Sequence, residues 1–143
     1  MVYVKTKGLK KPYGFSIASY KKKVEKILEL LGQKDYSLSI LLTTDPEIRK
    51  INKEYLNRDR PTNVISFSLE ESLDIPEKLL GEIIISVDTA KRETEITERK
   101  LSEQILYLTI HGLLHILGYD HIDPSSEKIM EEKTEELLEK LKG

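Results

Sequence analysis

The chain is 143 residues long, 38% hydrophobic, carries a formal charge of −2 and has no cysteine. That length and apolar content suit one globular domain over residues 1–143 with a sizeable core, while the missing thiols exclude a disulfide framework and any thiolate-ligated metal site. The near-neutral charge excludes a globally basic nucleic-acid binder, and the longest uncharged run, Gln104 to Tyr119, has 16 residues, short of the roughly 20 needed to cross a bilayer.

In chain order, Val2 to Val4 is predicted as a short strand. Residues 20 to 31 follow as an amphipathic helix ended at Gly32, with Val24, Ile27, Leu28 and Leu31 inward. Tyr36 to Thr43 is the second expected strand. Asp45-Pro46 opens a helix to about Tyr55, because proline in the first turn forfeits an N–H that has no helical partner there. Thr62 to Leu69 and Glu82 to Ser86 are expected strands on either side of a loop, Glu70 to Leu80; the run Ile83-Ile84-Ile85 implies burial on both faces. Asp88 to Arg99 reads as an exposed helix, Leu101 to Leu117 as an apolar one capped by Ser102, and Asp123-Pro124 opens a charged C-terminal helix. The expectation is an α+β fold: a four-stranded mixed sheet packed with about five helices. The Leu101 to Leu117 helix should lie buried along one side, with Leu106, Ile110, Leu113, Leu114 and Leu117 as its core face.

All three histidines fall in one eleven-residue stretch, His111-Gly-Leu-Leu-His115-Ile-Leu-Gly-Tyr-Asp-His121. Four residues separate His111 from His115, so on a helix they leave one face about 6 Å apart along the axis. Gly118 suits the left-handed position that ends a helix, which lets the chain turn back and bring His121 to the same point from another direction. A lone histidine on an apolar helix is more often a hydrogen-bonded core residue, but three at ligand spacing point to a metal. Three imidazoles leave one coordination position for water, the arrangement of a catalytic zinc site; nickel, copper and iron also accept such ligands.

The spacing is similar to the metzincin signature H-E-x-x-H-x-x-G-x-x-H, with Gly112 where the protease carries its general-base glutamate. An ordinary metalloprotease is therefore disfavoured. Gly112 has two readings: absence of a carboxylate favours an anionic substrate, or the glycine admits a neighbouring segment close to the helix. Asp120, directly before His121, is the candidate proton acceptor or outer partner of a metal-bound histidine, and a turn-capping aspartate explains it too.

The histidine block resembles the H-G-x-L-H-L-x-G-Y-D-H signature of the bacterial YbeY family of rRNA-maturation endoribonucleases. Pro61-Thr-Asn-Val-Ile-Ser-Phe67 is similar to that family's P-T-[DN]-V-L-S-F segment, and Leu80-Gly-Glu-Ile-Ile-Ile-Ser86 to its L-G-D-I-x-I-S strand. Order and separation match from about Ser37 onward. The resemblance implies a metal-dependent endoribonuclease preferring single strands, acting in small-subunit rRNA maturation and ribosome quality control, with His111, His115 and His121 as ligands of one zinc ion. It implies RNA as substrate, the ribosome or its small subunit as partner, and no membrane.

One position departs from that pattern. The family commonly has an arginine after the tyrosine of L-N-x-x-Y-R, whereas Leu56 follows Tyr55 here, with Arg58 and Arg60 two and four residues later. Either could supply the phosphate-binding charge, or both could be ordinary loop residues; Arg58 is taken as the candidate. Ser66 could line the cleft. Residues 1 to 26 hold eight lysines and one glutamate, a basic end that could meet an RNA backbone or simply be a solvated surface. Lysine and glutamate each occur 18 times while Asn and Gln total five, a balance expected of a hyperthermophilic source. Without cysteine or an apolar N-terminal leader, a cytoplasmic location is expected. Two other readings stay open: a metal-dependent hydrolase of peptides or small molecules, and a non-catalytic ribosome-binding protein whose metal only fixes the loop after Gly118. Nothing in the sequence indicates oligomeric state.

Overall fold

The computed structural model describes residues 1–68, 78–119 and 123–142. Its elements are β1 (Val2–Thr6), α1 (Ile17–Leu30), β2 (Ser37–Thr43), α2 (Asp45–Leu56), β3 (Val64–Ser68), β4 (Leu79–Ser86), α3 (Val87–Thr97), α4 (Leu101–Ile116) and α5 (Pro124–Lys140). The sheet runs β1-β2-β4-β3, with β1, β2 and β4 mutually parallel and β3 antiparallel to β4. This is the expected α+β class, with a four-stranded mixed sheet and five helices.

The isoleucine run explains why β4 lies inside the sheet. Ile83 and Ile85 enter the larger hydrophobic cluster with Val24, Ile27, Ile110 and Leu113. Ile84 points the other way, into a smaller cluster with Ile48 of α2 and Ile65 of β3. Successive side chains alternate across a strand, so an unbroken apolar run is stable only where both faces are covered. On α4, Leu106, Ile110, Leu113 and Leu114 are buried as expected, and Leu117 is half-buried. Burial extends beyond that face to Ile105, Leu108 and Thr109. The Thr109 hydroxyl donates to the Ile105 carbonyl (2.7 Å), which makes the buried Tyr20 hydroxyl the donor in their 2.6 Å contact. Burial also pushes the Tyr20 phenol up, so it keeps that proton.

Several boundaries differ from expectation. Helix α1 starts three residues earlier, at Ile17, because the Ser16 hydroxyl accepts from the Ser19 amide at 3.2 Å. Ser102 does not cap α4: Lys100 holds the N-cap position, its carbonyl accepting from the Gln104 amide, so Ser102 sits inside the first turn. Asp123 caps α5 as predicted, accepting from the Ser126 amide at 2.8 Å. Strand β4 begins at Leu79, inside the expected loop, and β3 begins at Val64 rather than Thr62. The rest of that loop, from residue 69 to 77, lies outside the described residues.

Gly81 accounts for the close pairing of β3 with β4. A Cβ there would collide with the Phe67 carbonyl oxygen and come within 3.0 Å of Ile116 Cδ1. The start of α2 and the start of α3 are joined by carboxylates. Asp45 accepts from the hydroxyls of Ser86 and Thr89, each at 2.6 Å, and pairs with Arg92 at 2.8 Å, while Asp88 accepts from the Asp45 amide at 2.9 Å. Burial raises the Asp45 carboxyl, but the hydrogen bonds from Arg92, Ser86 and Thr89 outweigh it and hold the group below its ordinary value.

Two outcomes are expected. Gly81→Ala should lower unfolding free energy by about 3 kcal/mol or more, since backbone rather than a mobile side chain must yield; urea denaturation reads this. Asp45→Asn should destabilise by about 2 kcal/mol at neutral pH. Because the folded carboxyl titrates lower than the unfolded one, that stability is present above the ordinary carboxylate pKa and is lost as pH falls through the depressed one. The gap between variant and parent should therefore close in acid, as measured by denaturation at several pH values.

Candidate metal centre

Helix α4 carries His111 and His115 one turn apart, and both line a single cavity of about 350 Å³. Its other walls come from β3 (Val64, Ile65, Ser66), the end of α2 and the link after it (Leu56, Arg58) and Met130 of α5. Val64 and Ser66 are two residues apart on one strand and so share a face. His111 is half-buried and His115 exposed.

The helix ends as the sequence implies. Gly118 has φ of 102°, its amide bonds the His115 carbonyl at 3.1 Å, and the Tyr119 amide bonds the Leu114 carbonyl at 3.0 Å. This pair of bonds satisfies the last carbonyls and turns the chain back. Asp120 and His121 lie outside the described residues. Among the described residues no group of three metal-ligating side chains is placed to hold an ion. The donor chemistry that is described fits a metal in two positions, with two imidazoles on one helix face opening on one cavity.

The loop after α2 separates the two arginines. Asn57 adopts a left-handed conformation (φ 57°), and its amide and that of Arg58 both bond the Asn52 carbonyl. Asn52, buried, donates its side-chain amide to the Arg60 carbonyl at 2.9 Å. Arg49 and Asp59, 2.8 Å apart, tie the loop back to α2. Arg58 therefore lines the cavity together with Leu56 and the histidines, whereas Arg60 is tied to Asn52 through its backbone and is not among the cavity residues. Gly112 lines the same cavity from above Ile83: a Cβ on it would lie 3.1 Å from Ile83 Cγ2. The close-packing reading of this glycine thus has a specific partner.

Two contributors were not singled out from the sequence. Glu131 of α5 lies 3.2 Å from His111 Nε2 and accepts from the Tyr107 hydroxyl through both oxygens, at 2.8 and 2.7 Å. Tyr107 precedes His111 by one turn and their ring centroids are 4.5 Å apart. Burial, followed by the hydrogen bond and charge of Glu131, pushes the Tyr107 phenol well up, so it remains a donor at neutral pH. The i, i+4 relation of Tyr107 to His111 was legible. Glu131 was not, since it sits in a run of acidic and basic residues with nothing to mark it. A second cavity, about 600 Å³, lies on the other side of His111 and shares Val64 with the first. Asn63, Glu93 and Gln104 line it and bond one another.

Lys5 of β1 lies at the sheet edge opposite β3 and so away from the cavity; Lys7, just past that strand, pairs with Glu47 at 2.9 Å.

A family model described as Endoribonuclease YbeY matches residues 8–142 of this chain. A protein of Syntrophus aciditrophicus named Endoribonuclease YbeY is 43% identical over 127 residues, covering 86% of this chain and 79% of the relative. One of Syntrophotalea carbinolica with the same name is 38% identical over 131 residues, covering 89% and 87%. The solution structure of a Thermotoga maritima protein superposes with a TM-score of 0.69 at 27% identity, covering 99% of this chain and 89% of that one.

Removing the Asn52 side chain should release the loop that carries Arg58. Asn52→Ala is expected to cost about 1 kcal/mol, the scale of one lost hydrogen bond, and to speed hydrogen exchange at the amides of Asn57 and Arg58. Unchanged exchange there would mean that the loop is held by other contacts.

Proposed function

The chain belongs to the endoribonuclease YbeY family, and from that premise we propose that it is a zinc-dependent endoribonuclease, preferring single strands, that matures small-subunit rRNA and acts in ribosome quality control. Family membership makes it a nuclease. The finer reading rests on one observation: Arg58 and Ser66 share a cavity with His111 and His115.

His111, His115 and His121 would hold the ion, with water in the fourth position. The chemistry a bound zinc supplies is activation of water and polarisation of a phosphate oxygen. The chain's own residues supply the rest. Arg58 is the phosphate clamp, offering guanidinium N–H donors to the non-bridging oxygens of the scissile phosphate. Its position replaces the family arginine whose place Leu56 takes: both side chains line the cavity, so the charge is delivered from two residues further along the loop. Ser66 adds a hydroxyl on the opposite wall. Asp120 is the proposed proton acceptor or the oxygen partner of a ligating histidine.

The shape of the cavity supports the preference for single strands. The cavity is bounded by four elements, and a phosphate reaches its floor more readily from a strand whose bases can splay apart than from a stacked duplex. A ribosomal substrate implies a cytoplasmic site of action, and among the described residues no helix is long and apolar enough to cross a membrane. The ribosome or its small subunit is the proposed partner.

The test is metal analysis of the purified protein followed by cleavage assays on single-stranded RNA, duplex RNA and peptides. One equivalent of zinc and preferential single-strand cleavage are expected. His111→Ala and His115→Ala should lose both metal and cleavage while remaining folded. Arg58→Ala should keep the metal and lower kcat/KM by about 100-fold, the scale of losing one charge-stabilising donor, whereas Arg60→Ala should change it by less than about threefold. Peptide cleavage without RNA cleavage would reject the nuclease mechanism, and equal losses for the two arginines would reject the clamp assignment.

A further inference from the structure

The mouth of the histidine cavity carries an exposed aromatic ring that the chemistry proposed above leaves unused. Tyr55, in the last turn of α2, is 64% exposed, and Leu56 beside it is 46% exposed. One apolar side chain at a surface is ordinary, but two adjacent large ones at the rim of a cavity point to a partner. The rings of Tyr55 and Phe67 meet at 67° with centroids 5.6 Å apart. Phe67 packs in turn on the smaller hydrophobic cluster of Ile48, Ile65 and Ile84. The exposed ring therefore stands on a support anchored in the core.

Sequence neighbours fix where this ring pair lies. Leu56 follows Tyr55 and Ser66 precedes Phe67, and both Leu56 and Ser66 line the cavity together with Arg58 and the two helix histidines. Side chains alternate along a strand, so Phe67 faces away from Ser66 and the ring pair lies just beyond the cavity rim, across the edge strand β3. Charge around it is positive. Lys53, Arg58 and Arg60 are exposed on the same stretch of chain. Of the two acidic residues between positions 53 and 60, Asp59 is paired with Arg49 at 2.8 Å, which leaves Glu54. An aromatic ring set among cations suits a polyanion whose units have flat apolar faces, and a strand of unpaired nucleotides has that chemistry.

We propose that Tyr55, supported by Phe67, is a stacking platform for one unpaired base of an RNA strand whose neighbouring phosphate lies against Arg58. The platform rests on the nuclease reading above and adds how that site takes its substrate. Every base has a π face, so stacking tolerates any sequence but requires a base drawn out of the duplex. Phosphate contacts set the register of the strand, and the base contact then separates unpaired from paired RNA. Because Tyr55 touches a base and not the reacting phosphate, it strengthens substrate binding and leaves the chemical step to the cavity.

Two measurements on the full chain test this. In steady-state cleavage of single-stranded RNA, Tyr55→Ala and Tyr55→Leu should raise KM about tenfold with kcat within about twofold, the scale of losing one base–aromatic stack. Tyr55→Phe should match the parent; leucine keeps apolar bulk, so its failure marks the π face. The second readout does not need turnover. The chain has no tryptophan, so Tyr55→Trp puts a single fluorescent reporter on the platform. A short 2′-O-methyl RNA strand should quench it and an abasic strand of equal length should not, whereas Arg58→Ala should weaken binding of both strands alike in anisotropy titrations. Parental KM in Tyr55→Ala would overturn the proposal in favour of a protein-facing ring, and unquenched fluorescence in a complex that anisotropy shows to be formed would also overturn it. A parent that neither binds nor cleaves RNA would remove the nuclease reading itself, and the platform with it. Should Tyr55→Ala fail to fold, Tyr55→Leu, Tyr55→Phe and the fluorescence titration decide the matter.

Discussion

The contact between Gly112 and Ile83 is the constraint on which the site depends. A glycine inside a helix costs about 1 kcal/mol relative to alanine, so it persists where something is gained. Here α4 settles onto β4 closely enough that even a methyl group would press on Ile83 at 3.1 Å. At that depth Leu113 and Leu114 are fully buried, and the residues on either side of the glycine's face, His111 and His115, open toward Val64 and Ser66 of the edge strand. Any side chain at position 112 would first have to move the Ile83 side chain by a few tenths of an ångström, so the glycine has a packing reason beside the electrostatic one.

Sheet topology then decides which elements can complete the cavity. Because β3 runs antiparallel at the edge, its start lies near the end of α2, and the short link between them carries Arg58. A backbone carbonyl at Asn52 that accepts two amides, together with a left-handed Asn57, replaces the regular end of the helix by a tight reversal. Such a reversal selects among neighbouring residues: Arg58 faces the cavity, while Arg60 contributes a carbonyl to the loop's own support. The polar wall beyond His111 has a similar economy. Asn63, which opens β3, donates to Glu93 of α3, and Glu93 also accepts from Gln104 of α4. Three elements around the histidine are thereby linked through one carboxylate.

Much of this was legible because it is local. Ile83-Ile84-Ile85 announced a strand covered on both faces, Pro46 and Asp123 marked helix starts, and Gly118 marked the turn after the histidines; each signal acts within a few residues of itself. The errors have equally physical causes. Ser102 looked like a cap because serine is a good one, but a backbone carbonyl from Lys100 already served the first turn. Strand β4 starts before the expected Glu82, at Leu79, and its Gly81 is required by the approach of the Phe67 carbonyl from the neighbouring strand. Arg58 could not be told from Arg60 without the left-handed turn between them and α2. Glu131 was hidden most completely: its meaning comes from the packing of α5 on α4, and it resembles the exposed charged residues nearby, Lys128 and Glu132.

The dependence on α5 connects folding to the site. The two helix ends that flank residues 120–122 are both fixed, α4 by the bonds at Gly118 and Tyr119 and α5 by the Asp123 cap. From that start, Met130, Thr134, Leu137 and Leu138 bury the inner face of α5 against the core. Glu131 follows Met130 directly, so it reaches His111 only when this face has docked. The contact between Glu131 and His111 therefore forms together with the docking of the C-terminal helix. A chain in which α5 packs poorly would retain its histidines and its cavity walls from β3 and α2, yet would lose Met130 from the cavity wall and the carboxylate beside His111.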